Sequence, residues 1–321
     1  MAVTIRSFAK INLGLSIGAR RDDGFHDLLT VYQTIGLHDL IRVSLAGGHG
    51  IEIVCADPRV PTDETNTCYR IVENAMRAMK AKGRVRIDIE KSLPVQGGLG
   101  GASVNAVAAL LGLERALKKS LPAPERLRIA SEVGSDLPLF LVGGTVFGAG
   151  RGEQVYPLED LPPTACVIVT PEVGVSTPKA FAEWDRKLTV DGPSDRMVEL
   201  GRGLSAWLSE SYSGAPFRRG RRENPLLELV RAGIKNDFEQ VVFPEYPELS
   251  EGKRALERAG AKYASLSGSG SALYGLFASK PAARSAAARL RKQGWKAQAT
   301  VTLTRAEYWK GTLSQRWSGN F

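Results

Sequence analysis

Cysteine is scarce in this 321-residue chain: Cys55, Cys68 and Cys166 are few, scattered and odd in number. They make neither a metal-like pair nor a disulfide framework, so free thiols in a reducing cytoplasm are expected. Histidine is equally rare, and His26, His38 and His49 are too dispersed to suggest a zinc site. No stretch approaches the roughly 18 consecutive apolar residues of a membrane helix, so no integral membrane protein is expected. The opening MAVTIRSFAK lacks an apolar signal core, and no export signal is read there. Internal repeats are absent.

What is present is ordinary for a globular protein, with 43% hydrophobic and 24% charged residues. The length suggests two domains. A balance of 43 basic against 34 acidic residues gives +9, which favours anionic partners: nucleic acid, an acidic membrane or a phosphorylated small molecule. The densest basic cluster, FRRGRREN with Arg218, Arg219, Arg221 and Arg222, follows the Ser/Gly-rich SESYSG and reads as a solvated loop.

VTIRSFAKINLGLSIG alternates apolar and polar residues and predicts a strand, bent near Lys10. RRDDGFHDL is turn-rich and predicts a loop, followed by strands at DLIRVSL and GIEIVCA. Helical spacing runs from Glu64 to Lys82, and RVRIDIEKSL is a strand. After it, Val104, Val107, Ala108 and Leu111 predict a helix with one apolar face. A further helix spans about Pro124 to Val133, with Gly134 as its C-cap. TACVIVTPEVGVST reads as strand and loop, and helices are expected at about 178–187, 194–209 and 225–240. YASLSGSGSALYGLF and AQATVTLTRAEYW are strand-like, with a helix at PAARSAAARLRKQG between them. Intermixed strands and helices make the class α+β. LEDLPPT, with two prolines, places a domain boundary near Leu161.

Residues 93–111, LPVQGGLGGASVNAVAALL, pack four glycines into five positions before a helical pattern. Such a loop can cradle a phosphate, because glycine allows close approach and the first helical N–H groups lack partners. It can also be a plain turn. No lysine closes it, so it is not a P-loop. Glu114 comes too early to be the acidic residue of a dinucleotide fingerprint.

Three stretches together resemble the GHMP kinase superfamily: AKINLGL, PVQGGLGGASVNA and LSGSGSALYGLF. RRDDGFHDLLTVYQTIGLHD, GSDLPLFLVGGTVFGAGRGE and NDFE extend the likeness to members that phosphorylate a cytidyl diphosphate sugar alcohol of the non-mevalonate isoprenoid pathway. The resemblance implies a ribosomal-protein-like ATP-binding domain at 1–160 and a ferredoxin-like substrate domain at 161–321. The active site would lie in the cleft between them. Phosphoryl transfer rests on positioning and charge stabilisation, so few groups are needed.

By the same resemblance, Asp136 would accept the hydroxyl proton and Lys10 would orient and charge-stabilise it. Pro94, Gly97, Gly98, Leu99, Gly100, Gly101, Ala102, Ser103 and Asn105 would hold the ATP phosphates. Asn12, Phe25, His26, Phe181, Gly268, Ser269 and Gly270 would bind substrate. Phe25 and His26 would meet the cytosine, with Phe181 on its opposite face. On their own residues, the same positions admit plainer readings: Asp136 as a turn residue capping backbone, Lys10 as an exposed strand lysine, His26 as a surface-loop histidine and Phe181 as core. Mg²⁺ is expected from the chemistry, with no metal-binding carboxylate standing out beyond Asp136. The partner is a small molecule. Neither nucleic acid nor membrane is expected, although +9 and the arginine cluster are what a nucleic-acid binder would carry. The sequence sets no oligomeric state.

The loop departs from the family pattern: Gln96 replaces a glycine, Ala102 a glycine, Val104 a serine and Val107 an alanine. A basic insertion near 205–223 and a tail after about Lys310 add length, and neither is assigned a function.

Overall fold

The alternation that opens the chain builds β1, Ala2–Arg20, and the chain turns over only residues 21–25 before β2, His26–Ala46. The polar stretch read as a loop is loop at 21–25, while its last residues, from His26, already belong to β2. Antiparallel pairing along nearly the whole of β1, from Ala2 with Ser44 to Arg20 with His26, overrides the weak local propensity. The register slips between Phe8 and Lys10, where the sequence suggests a bend. The computed structural model describes residues 2–191, 196–212 and 234–314.

β3 (Gly50–Cys55), β4 (Arg84–Glu90), β5 (Thr145–Ala149) and β6 (Gln154–Pro157) complete the first sheet, in the order β3-β4-β2-β5-β6 with β1 also on β2. Helix α1, Thr67–Ala78, starts where the Asn66 side chain accepts the Cys68 N–H, and it buries Cys68, Ile71, Val72 and Ala75. Helix α2, Gly101–Leu117, packs against β1, β2 and α1. The sequence pattern predicts one apolar face, yet every residue from Val104 to Glu114 is buried, because sheet and helix enclose it on several sides. Glu114 remains inside by accepting the Leu121 N–H at 2.8 Å and the Arg126 Nε–H at 3.2 Å. α3 (Ala123–Val133) ends at Gly134, and the single turn α4 (Leu137–Phe140) follows.

The second sheet, β10-β7-β9-β8, is antiparallel throughout and consists of β7 (Ala165–Val169), β8 (Tyr263–Leu266), β9 (Leu273–Phe277) and β10 (Ala297–Val301). α5 (Thr177–Asp191) and α6 (Arg196–Tyr212) correspond to two expected helices. Of the helix expected at 225–240, residues 225–233 lie outside the described residues. So do the arginine cluster 218–222, most of the insertion 205–223 and the tail beyond 314. α7 (Glu239–Glu245), α8 (Pro247–Arg258) and α9 (Lys280–Lys292) precede, flank and cover the sheet, and the sequence pattern did not suggest α8. The strand expected through TRAEYW is instead helix α10, Arg305–Leu313. Its Thr304–Glu307 capping box starts a helix where alternation alone reads a strand.

Contacts between Leu303 N–H and the Thr34 carbonyl (2.9 Å), and between the Tyr308 hydroxyl and the Phe140 carbonyl (2.7 Å), tie residues 303–308 back to β2 and α4. No helix among the described residues is long and apolar enough to cross a membrane.

The seat of α2 on the sheet fixes where its first turn points. At Gly112 an added Cβ would lie 2.7 Å from Val43 Cγ2 and 3.1 Å from Val43 Cβ, which leaves no room for a methyl group. Gly112→Ala is expected to destabilise the fold by about 1–3 kcal/mol through overpacking, measured as a lower denaturant midpoint at unchanged slope.

Candidate active site

The glycine-rich stretch leaves β4 and reaches α2 through two left-handed glycines, Gly98 at φ +71° and Gly100 at φ +70°. Gly100 is the helix N-cap and offers no side chain, so the N–H groups of the first turn face outward without a capping partner. A Cβ on Gly98 would stand 2.0 Å from the Ser267 carbonyl oxygen, so only glycine lets this loop meet the β8–β9 turn. The two loops are laced by the Ser267 hydroxyl donating to the Gly98 carbonyl (3.0 Å) and the Ala272 N–H donating to the Gly97 carbonyl (3.0 Å).

Two cavities meet at this loop. One, of about 340 Å³, runs along Pro94 to Ser103 and on to Asn66, Cys68 and Lys91. The other, of about 350 Å³, holds Lys10, Asn12, Phe25, His26, Asp136 and Phe181, among others. Gly98, Gly100 and Ser103 line both. The hydroxyl of Ser103 has no hydrogen-bond partner among the described residues.

Lys10 is not an exposed strand lysine. It is 3% exposed, and its Nζ donates to Asn12 Oδ1 at 2.6 Å and lies 3.4 Å from Asp136 Oδ2. Asn12 in turn donates to Thr30 Oγ1 at 2.8 Å, so its carboxamide is committed to aiming the ammonium. Asp136 caps no backbone with its side chain, which leaves the carboxylate free for the cavity. Its other oxygen accepts the Tyr32 hydroxyl at 3.1 Å. Burial first, and the negative charge of Asp136 second, push the Tyr32 phenol well above its ordinary pKa, so it stays a proton donor across the working pH range.

The aromatic residues converge as well, in an arrangement that the sequence does not suggest. His26 is buried rather than surface, and its ring stacks on Phe181 with centroids 4.8 Å apart and planes 9° apart. Phe181 therefore lies flush against His26, and no base fits between those two rings. The His26 Nε2 faces Asp185 Oδ1 at 2.6 Å, and the Arg151 guanidinium sits 4.8 Å over the half-exposed Phe25 ring. Gly268 and Ser269 line the acceptor-side cavity and the Ser269 hydroxyl meets Thr177 at 2.7 Å, whereas Gly270 makes the turn behind them.

On the glycine-loop side, Leu99 turns its side chain into the core, and its carbonyl accepts the Lys10 N–H at 3.1 Å. Asn105 lines the cavity, but its carboxamide accepts from Ser7 Oγ (2.7 Å) and donates to Asp39 (2.9 Å), so it braces the helix. Gln96 keeps the glycine-like shape of the loop at φ +58°, and Ala102 sits in the first turn with its carbonyl accepting Thr67 Oγ1. Val104 and Val107 are core residues pointing away from the cavity. Cys68 lines the cavity too, but burial pushes its thiol up to about 12, so it is no nucleophile.

Tyr32, Asp39, Arg151, Thr177 and Asp185 are absent from the sequence-derived set. Asp39, fully buried, accepts from Lys91, from Asn105 and from the N–H groups of Ser92 and Leu93, and so holds both ends of the loop.

Comparison with known proteins matches residues 66–144 to the GHMP kinases N terminal domain and residues 220–296 to the GHMP kinases C terminal domain. A 4-diphosphocytidyl-2-C-methyl-D-erythritol kinase of Solibacter usitatus is 38% identical over 85% of this chain and 80% of its own. One of Geobacter sulfurreducens is 33% identical over 94% of this chain and 99% of its own. The crystal structure of a 4-(cytidine 5'-diphospho)-2C-methyl-D-erythritol kinase superposes with a TM-score of 0.72 at 29% identity, over 94% of this chain and 99% of that one. With this kinship and the two-domain α+β architecture behind it, the chain belongs to the 4-diphosphocytidyl-2-C-methyl-D-erythritol kinase family of GHMP kinases.

Proposed function

We propose that the protein transfers the γ-phosphoryl group of ATP to the 2-hydroxyl of 4-diphosphocytidyl-2-C-methyl-D-erythritol, acting in the cytoplasm. The observation that carries this reading is the junction of the two cavities at Gly98, Gly100 and Ser103, which line both. A nucleotide along the glycine loop would present its terminal phosphate at that junction, with the first-turn N–H groups of α2 and the helix dipole facing the charge. In the adjoining cavity, proposed for the alcohol, Lys10 and Asp136 stand 3.4 Å apart.

In this reading Asp136 takes the proton of the 2-hydroxyl as its oxygen attacks the γ-phosphorus and the bond to the β-phosphate oxygen breaks. ADP leaves with the electron pair. The buried ammonium of Lys10 faces the negative charge of the transferring group in a site of low dielectric. Tyr32 holds the second oxygen of Asp136, which fixes where the accepting oxygen points. The phosphate-side residues proposed are Pro94 and Gly97–Ser103. Phe25, His26, Phe181, Gly268 and Ser269 are proposed against the cytidyl diphosphate. The chain is proposed to divide near Leu161, between the two sheets, with the acceptor cavity drawing walls from both parts.

Mg²⁺ is compatible with the residues present. No cluster of three His, Cys, Asp or Glu side chains exists among the described residues, and a magnesium ion held mainly by nucleotide phosphates needs few protein oxygens. The Ser103 hydroxyl and the one-third exposed Asp136 carboxylate are the donors that fit. When bound, the ion would neutralise part of the phosphate charge as the group is transferred.

Asp136→Asn keeps the shape and removes the base. Its turnover with ATP and the diphosphocytidyl acceptor is expected to fall about 10²- to 10⁴-fold, while ATP binding by calorimetry is retained. Wild-type turnover in that variant would remove Asp136 from the mechanism. ATP binding without turnover of this acceptor by the wild-type protein would point to a different alcohol. Tyr32→Phe is expected to lower kcat about tenfold, the scale of one hydrogen bond to a charged group, with both KM values little changed. Steady-state kinetics with each substrate varied in turn measures this.

A further inference from the structure

The motif NDFE, Asn236 to Glu239, lies outside the two cavities' phosphate and acceptor groups except for Phe238, yet three of its four side chains are polar and engaged in the interior. Its backbone lies alongside β1: the Leu15 N–H donates to the Lys235 carbonyl and the Asp237 N–H donates to the Leu15 carbonyl, each at 2.9 Å. Asp237, 3% exposed, strengthens that seam by accepting the Ser16 hydroxyl (3.1 Å) and the Ile17 N–H (3.0 Å) through Oδ2. Glu239 reaches the other way and accepts the Ser265 hydroxyl (2.7 Å) and the Leu266 N–H (3.0 Å) at the end of β8.

Asn236 completes the link. Its Nδ2 donates to the Leu266 carbonyl at 2.9 Å and to the Gly268 carbonyl at 2.7 Å, while its Oδ1 accepts the Phe238 N–H at 3.0 Å. At 2% exposure, with two acceptors facing one nitrogen, only an amide in this orientation satisfies all three neighbours. The strand on one side of the seam carries Lys10 and Asn12. The turn on the other carries Gly268, whose Cβ direction ends 3.4 Å from both Lys10 Nζ and Asn12 Oδ1.

We propose that NDFE is a clasp that sets the distance between the β8–β9 turn and the Lys10 strand, and that Asn236 is a positioning residue for phosphoryl transfer, acting through the Gly268 carbonyl. Gly268 and Ser269 line the acceptor cavity, so a shift of this turn displaces the acceptor relative to Lys10 and Asp136. An error near 1 Å in such an arrangement is felt mainly in kcat. The kinetic part of this proposal rests on the kinase reading above, whereas the clasp itself does not.

Asn236→Asp preserves the shape but turns a carboxylate on two carbonyl oxygens. In the full-length protein, kcat with ATP and the diphosphocytidyl acceptor is expected to fall about 10- to 100-fold, with the ATP dissociation constant within about twofold of wild type. Amide hydrogen exchange across residues 266–272 is expected to quicken while that of β2 is unchanged. If the variant does not fold, Asn236→Ser, which keeps one donor, is measured in its place. Unaltered exchange at 266–272 in a folded variant overturns the clasp. Faster exchange with wild-type kcat overturns the positioning role. A wild-type protein that binds ATP but does not turn over this acceptor overturns the assigned acceptor instead, and the exchange measurement still decides the clasp.

Discussion

Between Gly98 and the Ser267 carbonyl there is room for a hydrogen atom and for nothing larger, since a methyl carbon would sit 2.0 Å from the oxygen. Much else depends on that approach. It lets a loop from the first sheet touch a turn from the second, and the hydrogen bonds from Ser267 and Ala272 close the contact. It places glycine main chain where the two cavities meet, with Gly98 and Gly100 lining both. It also brings the first turn of α2 to the Lys10–Asp136 pair, with Gly100, Ser103, Lys10 and Asp136 lining one cavity.

The glycine loops were legible because the absence of a side chain is itself written in the sequence, and a run of glycines before a helical pattern has few physical uses. Lys10 and Asp136 became legible only when those loops were seen with the opening strand. By themselves, a lysine on a strand and an aspartate at a turn suggest solvent and a cap, and the structure shows neither. Tyr32 and Asp185 could not be read, because their partners are 104 and 159 residues away and nothing local marks either as polar machinery. Asp39 and Asn236 are similar cases. Each is an ordinary polar residue whose importance lies in how many distant backbone groups converge on it.

Secondary structure shows the same division between local and tertiary causes. α1, β4 and α9 follow their own periodicity and caps. The first residues of β2 and the all-round burial of α2 are imposed by neighbours: a ladder with β1 in one case and enclosure by sheet and helix in the other. TRAEYW lies between these, since the Thr304–Glu307 box is a local signal that outweighs the alternation running into it.

The glycine main chain where the cavities meet has a consequence for selectivity. A compound occupying the glycine-loop cavity meets peptide groups along the loop, which change little when side chains are substituted. The acceptor cavity is walled in part by the side chains of Phe25, His26, Arg151 and Phe181, none of which belongs to the glycine loop. Discrimination between this protein and other enzymes with the same frame is therefore to be sought among those four side chains, and a molecule designed to inhibit it selectively should be anchored there.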